Sequence, residues 1–199
     1  SDRTFIELMI RIAVIGDIGS GKSYVSKQFG YPVFNADNEV SNLYRKSRKC
    51  FLKLKKALPS YVTTFPINKS KLSKAIISKN SNLKKIIKII HPEIRKKMNN
   101  FIIKNKKKRI IVLDIPLLME NKINRKNDII IFVDAKKKEI SKRLEKRSNF
   151  NFKLIKKLKK FQLSLETKKK KSNYIIKNNF KTSSVKKSVK VIKNKILKK

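Results

Sequence analysis

The sequence contains a single cysteine, Cys50, and few acidic residues: 13 Asp and Glu stand against 54 Lys and Arg. One cysteine cannot form an internal disulfide, which fits a reducing compartment. No apolar run reaches the roughly 18–20 residues needed to span a bilayer. The N-terminus, SDRTFIELM, lacks the basic-then-apolar order of a signal peptide. We therefore expect a cytoplasmic protein with no membrane partner, in which residues 1–8 are an N-terminal extension.

The formal net charge of +41 has two interpretations. A strongly basic surface attracts polyanions through counterion release, which is typical of nucleic-acid binders. However, basic runs are scattered over many segments, lysine recurs with Asn and Ile as under a general codon bias, and no aromatic-basic RNA-binding signature or zinc-ligand cluster accompanies them. We therefore expect small anionic substrates and only adventitious nucleic-acid binding at low salt.

A chain of 199 residues with 40% hydrophobic residues is expected to form one domain with a substantial core. Short apolar, β-branched runs predict strands over Ile10–Ile15, Val33–Asn35, Arg109–Asp114, Asp128–Asp134 and Asn173–Ile176. Helices are predicted over Ser20–Phe29, Asp37 to about Ala57, Lys69 to about Asn105 (with a break at His91-Pro92), Lys136–Lys146, Phe152–Glu166 and Ser184–Leu197. This alternation predicts an α/β fold with a five-stranded parallel sheet.

The segment GDIGSGKS lies between the first predicted strand and the first predicted helix. Gly16 and Gly21, followed by Lys22 and Ser23, satisfy the pattern G-x-x-x-x-G-K-[ST] in the strand-to-helix context that it requires. Glycines let successive N–H groups converge on phosphate oxygens, while the lysine bridges the β- and γ-phosphates and the serine hydroxyl binds Mg²⁺. The spacing does not fit G-x-G-x-x-G, which excludes a dinucleotide fingerprint. The segment predicts a site for ATP and Mg²⁺.

The class of this nucleotide site follows from motifs that are missing. A GTPase needs an Asn-Lys-x-Asp base reader, but Asn121-Lys122-Ile123-Asn124 lacks the aspartate and does not follow a strand. A transport ATPase needs a longer chain and its own signature. A small domain with this loop and a helical insertion is typical of nucleotide or metabolite kinases.

Kinase chemistry needs a carboxylate near the acceptor hydroxyl and cations around the transferring group, at the carboxyl ends of parallel strands. Asp37 follows the second strand and is the predicted general base, or else an N-cap of the next helix. Asp114 ends the third strand and is predicted to hold Mg²⁺ through water, to orient substrate, or to be structural. Arg143 and Arg147, spaced i, i+4, form either a lid or a solvated face. His91 is either a substrate contact or a packing residue.

Several segments together resemble the dephospho-CoA kinase family. They cover most of residues 10–192 and occur in the family's order, with HP-x-I and D-I-P-L-L-x-E as the most specific motifs: GDIGSGKS, VFNAD (33–37), IHPEIR (90–95), DIPLLMEN (114–121), IIIFVDA (129–135), RLEKR (143–147), QLSLETK (162–168) and NYIIKNN (173–179). The resemblance implies ATP-dependent phosphorylation of the ribose 3′-hydroxyl of dephospho-CoA. It also implies a three-layer P-loop kinase domain over residues 9–199, with a helical CoA-side insertion at about 38–105 and a lid at about 140–165.

The resemblance also implies roles for individual residues. Gly19, Ser20, Gly21, Lys22, Ser23 and the backbone of Tyr24 would hold ATP phosphates, Ser23 would bind the metal, and Arg143, Arg147, Gln162 and Asn178 would lie near the nucleotide. Asp37 would be the base, and the acceptor would contact Asp37, His91, Pro92, Asp114, Pro116, Leu117 and Leu118. The sequence departs from the family pattern at Asp17, where a glycine is usual, at Tyr24, at Asn35 and at Lys69, and over the short segment 45–67.

We expect a monomer. Two other functions remain open: a P-loop kinase for another nucleoside or nucleotide, and a basic nucleic-acid-binding NTPase. The side chain of Asp17 is expected to point toward the acceptor side or a basic neighbour and away from the β- and γ-phosphates.

Overall fold

A computed structural model describes residues 9–116, 120, 122–147 and 150–198. Its five strands form one parallel sheet in the order β2-β3-β1-β4-β5, which confirms the predicted α/β fold. The strands span β1 Ile10–Gly16, β2 Val33–Asn35, β3 Ile110–Asp114, β4 Ile129–Asp134 and β5 Tyr174–Lys177.

The central strands are buried because their residues are almost all aliphatic on both faces. Every residue of β3 is buried, and β1 is buried from Arg11 onward. Continuous β-branched runs of this kind are expected where helices cover both faces of a parallel sheet. The register pairs Ile12 with Val112 and with Ile129, so β1 lies in the middle of the sheet.

The chain divides into two compact units. The first comprises the chain up to Asn35, Ile102–Phe150 and the chain from Gln162 onward; the second comprises Ala36–Phe101 and Asn151–Phe161. The first unit contains the sheet together with four helices: α1 Lys22–Gln28, α6 Lys137–Glu145, α8 Leu165–Lys170 and α9 Thr182–Leu197. Helix α9 contributes four buried aliphatic side chains to the core, namely Val185, Val189, Ile192 and Ile196.

The second unit is helical in the part of it that the structure describes. Its helices are α2 Ala36–Lys46, α3 Arg48–Ala57, α4 Lys69–Ser78, most of α5 Asn80–Lys104, and α7 Phe152–Lys159. Capping side chains explain two of the starts: Ser47 accepts from the backbone N–H of Cys50, and Asn68 accepts from that of Lys71. Each cap satisfies one of the unpaired N–H groups of a first turn.

The predicted helix break at His91-Pro92 is wrong, because α5 continues through Pro92. An internal proline costs about 3 kcal/mol, since it removes one backbone hydrogen bond. Burying one large aliphatic side chain gains about 1.5–3 kcal/mol. The helix buries several at helical spacing, including Leu83, Ile86, Ile90, Ile94 and Met98. Their packing outweighs the cost of the proline.

Two other predicted helices are each divided in two. The stretch from Asp37 to Ala57 forms α2 and α3, because the capping residue Ser47 starts a new helix. The stretch Phe152–Glu166 ends at Lys159, and a second helix starts after Ser164, whose Oγ accepts from the N–H of Thr167. Serine favours the cap over the helix interior, so local capping decides both divisions. None of the helices in the described ranges is long and apolar enough to cross a membrane.

A buried ion pair lies at the amino ends of the strands. Nε of Arg11, in β1, lies 2.9 Å from Oδ1 of Asp128, just before β4, and Nη2 of Arg11 donates to Oδ2 of Asp128 at 3.0 Å. The backbone N–H of Arg125 also donates to Oδ2. Burial raises the pKa of Asp128 and lowers the pKa of Arg11. Both shifts reflect the cost of removing charged groups from water.

Candidate active site

The phosphate-binding loop connects β1 to α1 and depends on glycines for its path. Gly19 and Gly21 have φ values of 83° and 88°, in the left-handed region that favours glycine. A Cβ at Gly21 would collide with Nδ2 of Asn178. The loop therefore has the backbone shape in which N–H groups point toward an anion at the start of a helix.

Asp17, an acidic residue in a phosphate-binding loop, bonds to its own loop. This residue is 5% exposed, and its Oδ1 accepts a hydrogen bond from the backbone N–H of Ile18 at 2.7 Å. Its backbone carbonyl accepts from Nζ of Lys22 at 2.7 Å and from the N–H of Ser20 at 3.2 Å. The acidic side chain thus turns back onto its own loop and stabilises the turn.

Three polar side chains meet at the carboxyl ends of β2 and β3. The Ser23 hydroxyl donates to Oδ2 of Asp114 at 2.6 Å. Nδ2 of Asn35 donates to the same oxygen at 2.6 Å and to Oγ of Ser23 at 3.1 Å. Asn35 and Asp114 come together because they pair in the register of β2 and β3, and Ser23 is in the first turn of α1, which follows β1 on the other side of β3. The structure therefore brings the predicted metal-binding serine into contact with the predicted strand-end acid.

Asn178 supports the loop from the end of β5. It is 4% exposed, and its Nδ2 donates to the backbone carbonyl of Ser20 at 2.8 Å. Its Oδ1 accepts from the backbone N–H of Phe180 at 2.8 Å. One buried amide thus connects the loop to the chain that follows β5.

Arg143, the predicted lid residue, lies on the exposed side of α6. Its guanidinium carbon is 4.3 Å from the ring centroid of Phe180, a cation–π contact. Sequence reasoning missed Phe180; a possible signal was its position two residues after Asn178. The aromatic ring and Asn178 place Arg143 beside the segment that supports the phosphate loop.

The prediction that Arg143 and Arg147 share a helix face is wrong. Helix α6 ends at Glu145, and the N–H of Arg147 bonds to the carbonyl of Leu144, three residues earlier. Such i→i−3 bonds tighten and end the last turn of a helix. Arg147 is exposed beyond this end.

Three predicted residues lie in the helical unit. Asp37 is exposed in the first turn of α2, inside the helix, so it is not the N-cap that the alternative interpretation required. His91 is half-buried in α5, and burial, together with the nearby positive charge of Arg95, lowers its pKa. A neutral imidazole at pH 7 follows. Pro92 is exposed.

The remaining predicted residues have varied surroundings. Pro116 is half-buried after β3, Tyr24 is 39% exposed on α1, and Oε1 of Gln162 lies 3.4 Å from Nζ of Lys168. Leu117 and Leu118 lie outside the described residues, as do residues 1–8. Sequence reasoning assigned no role to Glu120 and Lys168, which form a buried ion pair at 2.7 Å.

A family model and the sequence relatives described below agree on one family. A family model described as CoaE, dephospho-CoA kinase, matches residues 10–184. Dephospho-CoA kinase of Wolbachia pipientis wMel is 34% identical over 170 residues, which cover 83% of this chain and 87% of that protein. Dephospho-CoA kinase of Bartonella quintana is 35% identical with the same coverage. Among solved structures, TT1252 from Thermus thermophilus has a TM-score of 0.76 at 24% identity, covering 94% of this chain and 97% of that one.

Proposed function

Because the chain belongs to the dephospho-CoA kinase family, we propose that its phosphate loop and the acids that follow β2 and β3 carry out the reaction of that family. The reaction transfers the γ-phosphoryl group of ATP to the ribose 3′-hydroxyl of dephospho-CoA and gives coenzyme A and ADP. The observation that supports the assignment most directly is the 2.6 Å contact between Ser23 and Asp114 beside the loop. Both substrates are anionic, which suits a chain of net charge +41.

ATP phosphates bind the loop from Gly19 to Ser23 and the backbone of Tyr24 in this proposal. The N–H groups at the start of α1 donate to phosphate oxygens, and the helix dipole favours the negative charge. Lys22 now donates to the Asp17 carbonyl, and it exchanges this neutral partner for the β- and γ-phosphates when ATP binds.

Mg²⁺ fits the oxygens of Ser23 and Asp114, which are hard ligands already within 2.6 Å of each other. Among the described residues there is no group of three or more His, Cys, Asp or Glu that could hold a metal alone. Such a sparse donor set suits an ion that keeps several waters and also binds substrate phosphates. When bound, Mg²⁺ supplies positive charge against the phosphate oxygens.

Asp37 is the proposed general base. Its carboxylate takes the proton of the ribose 3′-hydroxyl while the hydroxyl oxygen forms a bond to the γ-phosphorus. The bond from that phosphorus to the bridging oxygen of ADP breaks, and ADP leaves with the electron pair. Arg143 would donate to the transferring group from the lid side, and Arg147, Gln162 and Asn178 would lie near the nucleotide. His91, Pro92, Pro116, Leu117 and Leu118 would contact the acceptor.

A direct comparison of acceptors tests the function. ADP formation from Mg-ATP is measured with dephospho-CoA, adenosine, AMP, dTMP and RNA in parallel. We expect turnover that depends on dephospho-CoA, with the product identified as coenzyme A by mass spectrometry. Turnover with another nucleoside or nucleotide, and none with dephospho-CoA, would favour a P-loop kinase for that other acceptor. Stimulation by RNA alone would favour a nucleic-acid-dependent NTPase.

A further inference from the structure

Phe180, in the short connection between β5 and α9, has a backbone conformation that bulky residues rarely adopt. Its φ is 61°, in the left-handed region that favours glycine, where an aromatic residue is an outlier. The N–H of Phe180 donates to Oδ1 of Asn178 at 2.8 Å, and the N–H of Lys181 donates to Oδ1 of Asn179 at 3.0 Å. Two asparagine side chains therefore fix the chain on both sides of this strained residue.

The local conformation favours glycine over phenylalanine at this position. Glycine adopts a positive φ without steric cost, whereas a residue with a Cβ is strained there. Phe180 is only half-buried, so part of its apolar surface stays in water and its burial gains correspondingly less. Strained residues cluster at functional sites. The contacts of the ring therefore indicate what the side chain does.

The ring of Phe180 lies beside the phosphate loop and under the guanidinium of Arg143. A Cβ at Gly21 would be 3.4 Å from Cε1 of Phe180, so the edge of the ring is next to the loop. The guanidinium carbon of Arg143 lies over the ring, 4.3 Å from its centroid. Helix α6, which carries Arg143, also packs on the loop, because a Cβ at Gly19 would be 3.0 Å from the Leu144 side chain. All of these residues belong to the sheet-containing unit.

We propose that Phe180 is a positioning residue that holds the guanidinium of Arg143 beside the phosphate loop, where it donates to the γ-phosphate of ATP. This inference rests on the proposed function, which assigns Arg143 to the transferring group. An arginine side chain has many rotamers, and its contact with the aromatic ring restricts them before the nucleotide binds. A donor that is already in place needs less reorganisation when charge develops on the transferring group. Phe180 does not touch the reacting atoms and acts through Arg143.

The first test compares ATP with ADP, because only ATP has a γ-phosphate. Phe180→Leu replaces the ring by an aliphatic side chain and keeps a Cβ at the same φ. We expect the calorimetric Kd for ATP to rise about two- to fivefold, the value of one exposed cation–π contact, whereas the Kd for ADP stays near the original value. Phe180→Tyr keeps the aromatic face and should keep the original Kd for both nucleotides.

Phe180→Ala and Phe180→Gly separate the ring from the backbone strain. Both variants lack the ring, but only glycine relieves the strain at this φ, so Phe180→Gly should have the higher melting temperature of the two. Both should show the same rise in the Kd for ATP. An original Kd for ATP in Phe180→Gly, with a raised one in Phe180→Ala, would mean that the backbone positions the site, and the proposal would be overturned.

A double-mutant cycle shows whether the ring acts through Arg143. With Mg-ATP and dephospho-CoA, Phe180→Leu should lower kcat/KM for ATP about two- to fivefold, and Arg143→Ala should lower it about 100-fold or more. In the Arg143→Ala background, Phe180→Leu should cause no further fall, because the group that the ring positions is gone. An equal fall in both backgrounds would show that the ring acts on the nucleotide or the loop by itself, which would overturn the proposal.

The matched control removes an aromatic ring from another cation–π contact of the same unit. Nζ of Lys193 lies 4.6 Å from the ring centroid of Tyr31, which is also half-buried, and Tyr31→Leu should keep the original Kd for ATP and the original kcat. An unchanged Kd for ATP in folded Phe180→Leu would overturn the positioning role. Failure of the proposed function is distinguishable, because the unmodified protein would then show no turnover with dephospho-CoA, whereas the comparison of ATP with ADP needs no acceptor.

Discussion

The two ends of the central strands each carry a buried aspartate, and different side chains bond to each of them. At the amino ends, Asp128 is held by the guanidinium of Arg11. At the carboxyl ends, Asp114 is held by the hydroxyl of Ser23 and the amide of Asn35, which are neutral. A guanidinium neutralises a carboxylate, whereas a hydroxyl and an amide add no formal charge beside it. We therefore expect substitutions of the two aspartates to affect stability and activity differently.

The largest effects are expected for the loop lysine and the proposed base, at the carboxyl ends. Both Lys22→Ala and Asp37→Asn should lower kcat by about 10³-fold or more, since in the proposed reaction each removes a group that acts on the transferring atoms. Only Lys22→Ala should also greatly weaken ATP binding, measured by calorimetry. Near-normal turnover of Asp37→Asn would show that the base is another group.

At the amino ends of the strands, we expect a substitution to lower stability and to leave activity almost unchanged. Asp128→Asn leaves Arg11 buried without its carboxylate, which should lower the free energy of unfolding by about 3–5 kcal/mol. At a temperature where the variant is folded, kcat should stay near the original value. Denaturant unfolding measures the free energy of unfolding, and ADP formation measures kcat. The control is Arg11→Met/Asp128→Leu, which should recover most of the lost stability; a loss of kcat in the folded single variant would contradict a structural role.

Asp114→Asn makes the same Asp-to-Asn substitution at the carboxyl end of β3. We expect kcat to fall about 100-fold, and the Mg²⁺ concentration for half-maximal rate to rise, because the charge that favours the ion is lost. Unfolding free energy should change by less than about 1 kcal/mol, since the amide oxygen still accepts from Ser23. If Asp114→Asn lost stability and kept its Mg²⁺ dependence, the contrast between the two ends would disappear.

Substitutions of Asp17 should have a smaller effect, on the affinity for ATP. Two variants separate the contribution of its charge from that of its hydrogen bond. Asp17→Asn keeps an oxygen for the N–H of Ile18 and removes the negative charge, so ATP should bind severalfold more tightly. Asp17→Ala removes both, and it should bind ATP about fivefold more weakly than Asp17→Asn, the value of one net hydrogen bond. Calorimetric Kd values measure this. Equal affinities of the two variants would show that the bond to Ile18 does not support the loop.

Much of the fold follows from local sequence, and the exceptions have identifiable causes. Five apolar runs predicted five parallel strands, because their burial requires residues that are apolar on both faces. The break at Pro92 was predicted from a local rule, and tertiary packing of α5 overrides that rule. The division at Ser47 was missed because serine occurs both at caps and inside helices, and the sequence alone does not show which of the two applies.

Some residues of the site could likewise be predicted from the sequence, and others could not. The loop pattern predicted Lys22 and Ser23, since its spacing has a direct geometric meaning. The contact between Ser23 and Asp114 depends on strand register, which one sequence does not reveal. The ion pair of Glu120 with Lys168 lay among many lysines, and burial alone distinguishes this lysine from its exposed neighbours. Charge composition therefore concealed Lys168, the one buried lysine among the residues that the structure describes.

His91, in the helical unit, should give the smallest effect. Burial and Arg95 lower its pKa in the folded state, so the unfolded state binds more protons just below the ordinary histidine pKa of about 6.5. Stability is then lost as pH falls from about 6.5 toward the lowered pKa, and it is unaffected above that range. The decrease in unfolding free energy between pH 7.5 and 5.5 should be smaller in His91→Gln than in the original protein, whereas Lys88→Gln on the same helix should not change it. Glu93, whose pKa is lowered by its hydrogen bond to Lys49, loses its contribution to stability only at pH values below this window. If the decrease in unfolding free energy were unchanged in His91→Gln, the pKa of His91 would be the same in the folded and unfolded states.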